Sequence, residues 1–336
     1  MKHLLYIGNQ LSQQGKTQTT IDTLSHLLRL EQYHVICAST KKNQCFRLLD
    51  MLYHVIKYSK QVDYVLIDTY STLNFQYAFW VSQLCRVLNL KYVPILHGGS
   101  LPDRLQNNPK LSRLIFKNAY QNVAPSMYIV SEFKKQGYSN LIFIPNTIEI
   151  KNYPFQSKTY QSIKLLWVRS FSKIYNALLA ITILKNLKDA DIPATLCMVG
   201  PDNDGTLKEA KTYASSLGVD VLFTGKLSKT EWIELSEDYN IFLNTTNFDN
   251  MPVSVIEAMA LGLLVISTNV GGMPFLVTNN EHGILVPPNS DVEFVKTIKK
   301  IRDKPNAAKV LTQNARKKAE QFDWDVVKQQ WISLLQ

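Results

Sequence analysis

Residues 244–275 read NTTNFDNMPVSVIEAMALGLLVISTNVGGMPF, and their punctuation decides the fold. The run Ile241 to Asn244 leads in as a strand, Asn250 suits a helix N-cap, Pro252 suits the first turn and Gly262 suits the end. Leu264 to Ser267 then returns as a second strand. Strand, covering helix and strand make one βαβ unit of a parallel sheet. Two carboxylates bracket the start of the helix. Asp249 lies just before it, and Glu257 stands about 7–8 Å of rise past Pro252 at roughly 1.5 Å per residue. A helix N-terminus offers unbonded backbone N–H groups and the positive end of a dipole, which suits a diphosphate. Val253, Ser254 and Val255 are placed to supply those amides. Glu257 has acceptors and no donors, which suits both vicinal hydroxyls of a ribose.

Working outward, the same alternation covers the chain. His3 to Ile7, His34 to Ala38, Tyr64 to Ile67, Tyr92 to Leu96, Asn122 to Ala124 and Leu141 to Ile144 read as strands, separated by helical patterns. The polar stretch Pro145 to Ser162, with Pro145 and Pro154, reads as a linker. Strands resume at Lys164 to Val168, Ala194 to Val199, Val221 to Thr224, the two already named, and Gly283 to Val286. At 336 residues the chain exceeds what one core usually organises. The expectation is therefore two doubly wound α/β domains, 1–155 and 156–319, with closing helices at about 320–336 packing back on the first. Open parallel sheets bind ligands beyond the carboxyl ends of their strands, so two facing units predict chemistry in a deep cleft between them.

Composition narrows the class. A hydrophobic fraction of 46% with 19% charged residues is ordinary for a globular chain. The apolar start ends at Gly8 and is too short for a signal peptide, and the apolar stretch near Val253 to Ser267 contains Glu257, so a cytoplasmic location is expected. Cys37, Cys45, Cys85 and Cys197 form no CxxC pair and read as buried reduced thiols. The net charge of +10 favours anionic partners, and no nucleic-acid-binding signature accompanies it.

The long stretch resembles the family 4 retaining glycosyltransferases of the GT-B fold, which carry an acidic pair at this spacing with EAMA-x-G and GG-x-P. Supporting motifs stand in the family's order: WVRSFSK at 167–173, MVGPD at 198–202, FTGKLS at 223–228 and HGILVPP at 282–288. The resemblance implies that Arg169 and Lys173 offset growing charge on the donor diphosphate, with no metal required. It also implies that Glu257 holds the ribose and that Asp249, where the family usually has Glu, faces the donor sugar. Gly200, Lys226, Leu227, Val253, Ser254 and Val255 complete the implied donor site. Upstream, Gly15 looks like the centre of the family's Gly-rich loop, and His97 of HGGS looks like the histidine that reaches the transferred sugar. Phe275 stands where Glu is usual after GG-x-P.

The resemblance implies a retaining transfer of a hexose from a UDP-sugar, or next a GDP-sugar, to a glycan or lipid-linked acceptor in cell-surface polysaccharide or glycolipid synthesis. A nucleotide-sugar or glycan binding protein without turnover is the alternative. A P-loop NTPase is a remote one: QGKT at 14–17 and DYVLID at 63–68 imitate its motifs, but Gln10 stands where a glycine is needed. The D-x-D triplets at 189–191, 202–204 and 323–325 read as solvated or capping acids. LPDRLQNNPKLSRLIFKNAY, with Arg104, Lys110, Arg113 and Lys117 beside Leu111, Leu114 and Ile115, reads either as a basic amphipathic helix at an anionic membrane or as an ordinary surface helix.

Overall fold

The computed structural model describes residues 1–11 and 19–336. The chain forms two compact units, Met1–Pro145 with Lys328–Gln336, and Asn146–Val327. In the first, β1 (His3–Ile7), β2 (His34–Ala38), β3 (Tyr64–Thr69), β4 (Tyr92–Leu96), β5 (Asn122–Ala124) and β6 (Leu141–Phe143) form a parallel sheet ordered β2-β1-β3-β4-β5-β6. Around it run α1 (Thr20–Leu30), α2 (Gln44–Tyr58), α3 (Phe75–Val87), α4 (Leu101–Asn107), α5 (Pro109–Phe116) and α6 (Met127–Lys135). β3 and β4 are buried along their whole length, as strands covered on both faces must be. Leu5, Ile7, Val65 and Ile67 pack with Met51, Val55 and Val81 of the helices.

The second unit repeats the plan. Its sheet holds β7 (Ile163–Val168), β8 (Ala194–Val199), β9 (Leu222–Gly225), β10 (Ile241–Asn244), β11 (Leu264–Thr268) and β12 (Ile284–Val286), ordered β12-β11-β10-β7-β8-β9 and parallel throughout. Its helices are α7 (Ala177–Asp189), α8 (Thr206–Ser216), α9 (Lys229–Ser236), α10 (Val253–Ala260), α11 (Met273–Leu276), α12 (Asp291–Asp303) and α13 (Pro305–Glu320). The last helix, α14 (Trp324–Leu334), carries the chain from the second unit back to the first.

The expected boundary at 155/156 moves to 145/146. The polar stretch that reads as a linker is held by residues far along the chain: Ile148 N–H donates to Phe322 C=O (3.0 Å), Trp324 N–H to Ile148 C=O (2.8 Å), and Ile150 N–H to Asp323 Oδ1 (3.0 Å). The return to the first unit likewise starts at Lys328 rather than about 320, where Lys328 pairs with Glu31 and the Tyr64 hydroxyl donates to Gln336 C=O (2.9 Å). The cysteines are also corrected. All four are free thiols, but only Cys85 and Cys197 are buried; Cys45 is exposed on α2. No helix among the described residues is long and apolar enough to cross a membrane.

Candidate functional site

The second unit concentrates polar groups at the start of α10. Pro252, rather than Asn250, is the N-cap, and it offers no side-chain acceptor. Val255 N–H, expected to be available, donates instead to Pro252 C=O (3.2 Å). Val253 and Ser254 N–H keep the unbonded character of a helix start, and the buried Ser254 Oγ has no hydrogen-bond partner among the described residues. The glycine pair that follows β11 fixes the approach to this helix. A Cβ on Gly272 would lie 1.8 Å from Asn250 C=O, so only glycine lets the two loops touch.

Arg169 and Asp249, expected to serve separate parts of a donor, are brought together as an ion pair with both side chains largely buried. Arg169 leaves the end of β7, and its guanidinium lies 4.5 Å from the centre of the Tyr175 ring. Its Nε is buried without a partner among the described residues. Burial pushes the guanidinium pKa down from its ordinary value, and the nearby Tyr175 works in the opposite direction. Gly200 lies against it through backbone: a Cβ there would sit 1.8 Å from Arg169 C=O, at a φ of +150°. Lys173 is exposed, and its N–H donates to Asp204 (3.1 Å). Lys226 is exposed just after β9, while Leu227 packs partly into the core beside α10.

Glu257 is almost fully buried on α10. Its Oε1 accepts the Tyr153 hydroxyl (2.8 Å) and pairs with the Lys229 ammonium. Burial, and then the Glu257 charge, hold the Tyr153 pKa well above its ordinary value, so the phenol stays a donor. Neither partner is announced by the sequence motifs. Tyr153 lies in the stretch read as linker, and Lys229 falls just outside the FTGKLS motif. At the far end of α10, Arg316 of α13 donates to Ala260 C=O (2.8 Å) and Tyr153 C=O (2.6 Å).

Four of the six D-x-D acids are engaged within the second unit. Asp202 accepts Gly205 N–H, Asp204 accepts Ser172, Lys173 and Thr206, Asp189 pairs with Lys185, and Asp323 accepts Ile150 N–H. In the first unit His97 follows β4 and pairs with Asp68 at the end of β3, an acid read in the sequence only as part of a P-loop look-alike. Gly15 lies outside the described residues. The basic stretch around Arg104 is not one amphipathic helix. Pro109 starts α5 afresh after α4, Ile115 is buried, and Arg104 donates to Ser71 C=O and Asn108 within the fold. Of its apolar residues Ile115 is buried and Leu111 packs partly on the core, while Leu114 is exposed.

Fold and site together define a two-domain α/β protein of the GT-B type with an anion-suited helix start in its second half. The model of the glycosyl transferases group 1 family matches residues 149–318, half of the chain, and the chain belongs to that family. It is 29% identical over 130 residues to a D-inositol 3-phosphate glycosyltransferase of Streptomyces bingchenggensis, a match spanning 38% of this chain and 29% of that protein. The chain thus aligns with less than a third of that relative's length. The sucrose-phosphate synthase of Thermosynechococcus elongatus superposes with a TM-score of 0.84 at 17% identity, covering 99% of this chain and 98% of the other. Anabaena HepE, solved in complex with UDP and glucose, superposes with a TM-score of 0.79 at 18% identity over 99% and 98%. These likenesses establish the fold.

Proposed function

We propose that the chain is a retaining glycosyltransferase that moves a hexose from a nucleotide diphosphate donor, a UDP-sugar before a GDP-sugar, to a glycan or lipid-linked acceptor. The observation that carries this is the start of α10, where two amides, an unpartnered buried Ser254 hydroxyl and the Arg169 guanidinium meet the family's acidic pair. In this reading the diphosphate lies on Val253 and Ser254, and Arg169 and Lys173 offset its charge without a metal. The ribose hydroxyls donate to Glu257. The UDP bound by HepE supports the order of donors. The bond from the anomeric carbon to the diphosphate oxygen breaks while the acceptor oxygen bonds on the same face, and the acceptor proton passes to the departing phosphate. His97 and Asp249 take the roles toward the transferred sugar that the resemblance implies. Cell-surface polysaccharide or glycolipid synthesis, with peripheral attachment to the inner face of a membrane, is the setting this chemistry suits.

Thermal shift with UDP, GDP, ADP and their sugars tests the donor site. A ligand at 100 times its dissociation constant adds about 2.7 kcal/mol to the folded state. A selective shift, lost in Glu257→Ala and Arg169→Ala, is expected. Binding without transfer or donor hydrolysis would make the chain a binding protein, and an inverted anomer by NMR would overturn retention.

A further inference from the structure

Helix α2 has two apolar faces, and the fold uses only one. Met51 and Val55 are fully buried, and Leu48 and Leu52 pack beside them. On the outside, Phe46, Leu49, Tyr53 and Ile56 are 66%, 61%, 57% and 58% exposed. Their spacing of three and four residues gathers them within about 80° of the helix circumference. A stripe of four large apolar side chains left in water along one helix requires a cover.

The charges around the stripe say what kind. Lys41 and Lys42 precede the helix, Lys60 follows it, and Lys57 lies alongside, all exposed. The acid of the segment, Asp50, is taken up by Ser39, and its carbonyl lies 2.8 Å from His54 Nδ1. The Lys57 ammonium lies 5.8 Å and 5.1 Å from the Tyr53 and Tyr58 ring centres, so its stem runs over apolar surface. Apolar and aromatic side chains bordered by lysines complement an acyl boundary beneath anionic headgroups, which a neutral protein groove does not.

We infer that the outer face of α2, Phe46, Leu49, Tyr53 and Ile56 with Lys41, Lys42, Lys57 and Lys60, docks on an anionic lipid surface. This deepens the peripheral attachment proposed above and places it on α2 instead of α4 and α5. It is testable without donor or transfer, so its failure and that of the transferase reading are distinguishable.

The test is sedimentation of the full chain with vesicles of phosphatidylcholine alone or mixed with phosphatidylglycerol, at low and high salt. Wild type is expected to bind the phosphatidylglycerol vesicles and to release in high salt. Leu49→Glu/Ile56→Glu should weaken binding at least about tenfold, because apolar area and charge both contribute. Lys110→Glu/Arg113→Glu on α5 should leave it unchanged. Circular dichroism and the unfolding temperature without ligand check the fold. If the double glutamate variant is damaged, Tyr53→Ser/Ile56→Ser replaces it. The proposal is overturned if wild type ignores both vesicles or binds them equally, or if the α2 variants bind as wild type does. It is equally overturned if light scattering finds a dimer that the α2 variants dissolve, since the stripe would then cover a second copy.

Discussion

His97 Nε2 lies 2.8 Å from Asp68 Oδ1, and that oxygen also accepts the Tyr6 hydroxyl at 2.8 Å. Asp68 is fully buried, and a carboxylate only accepts, so Nε2 is the nitrogen that donates to it and Nδ1 is left to face away from the pair. Asp68 is thus a positioning residue for the histidine. Asp68→Asn should lower kcat about tenfold or more, the equivalent of a charge-assisted hydrogen bond of about 1.5–3 kcal/mol. Nucleotide-induced thermal shifts should not change, and the ring nitrogen NMR signals of His97 should move. An unaltered kcat would deny Asp68 this role.

The Arg169–Asp249 pair invites a double-mutant cycle. Removing Arg169 alone leaves a largely buried carboxylate without its counter-ion and should cost about 3–5 kcal/mol. Arg169→Met with Asp249→Asn should restore much of that stability to urea yet bind no nucleotide diphosphate. Full nucleotide affinity in the double variant would place the anion site elsewhere.

Lys229 competes for the acid that the proposal gives to ribose. The lysine side chain is half exposed and itself gains only about 0.2–1 kcal/mol from the pair, but Glu257 is almost fully buried and would be left with Tyr153 alone. Lys229→Ala should therefore tighten nucleoside diphosphate binding by up to about fivefold in calorimetry, while lowering the unfolding temperature of the free protein. Weaker binding would mean that the lysine holds the ligand instead.

Gly272→Ala puts a methyl group where Asn250 C=O already stands. The loop before α10 must shift, and a loss of about 1–3 kcal/mol is expected, as for other strained backbone positions. Nucleotide affinity should fall with it. Gly137→Ala, which meets nothing within 4 Å but sits at a φ of +81°, separates the two effects, since it should cost stability and leave affinity intact.

Asp204 gives a pH signature. The Thr206 hydroxyl, followed by the Lys173 N–H and Ser172 hydroxyl, holds its carboxyl at about 2, against an ordinary 3.8. A depressed carboxyl stabilises the fold above its unfolded value and loses that contribution as pH falls through the folded one. The loss therefore lies between about pH 4 and 2. Chemical unfolding of wild type and Asp204→Ala should converge across that window, and a constant difference would rule the linkage out.

The strands were legible because parallel strands covered on both faces are written as apolar runs. Ile241–Asn244 and Ala194–Val199 appear in the fold with the ends their sequences suggest. Helix starts were less legible: Asn250 has cap chemistry, but the chain turns helical only after Pro252. The boundary at 155/156 is not legible because Ile148 and Ile150 are anchored by partners more than 170 residues away, which no local pattern reveals. Asp249 and Glu257 stand out in the motif, whereas Tyr153 and Lys229 reach Glu257 only through tertiary packing. The outer stripe of α2 was hidden for another reason. A helix with apolar residues on both faces has no single period to announce which side is covered.

Arg316 fastens the carboxyl end of α10 to the Tyr153 backbone, while the amino end carries unsatisfied groups. Such a helix is a bench bolted at the back and bare at the front. Whatever it grips can change through exchanges at the rim, at an exposed position such as Lys229, with the bolted packing undisturbed. Under the proposed donor reading, preference is then open to change by substitution outside the core.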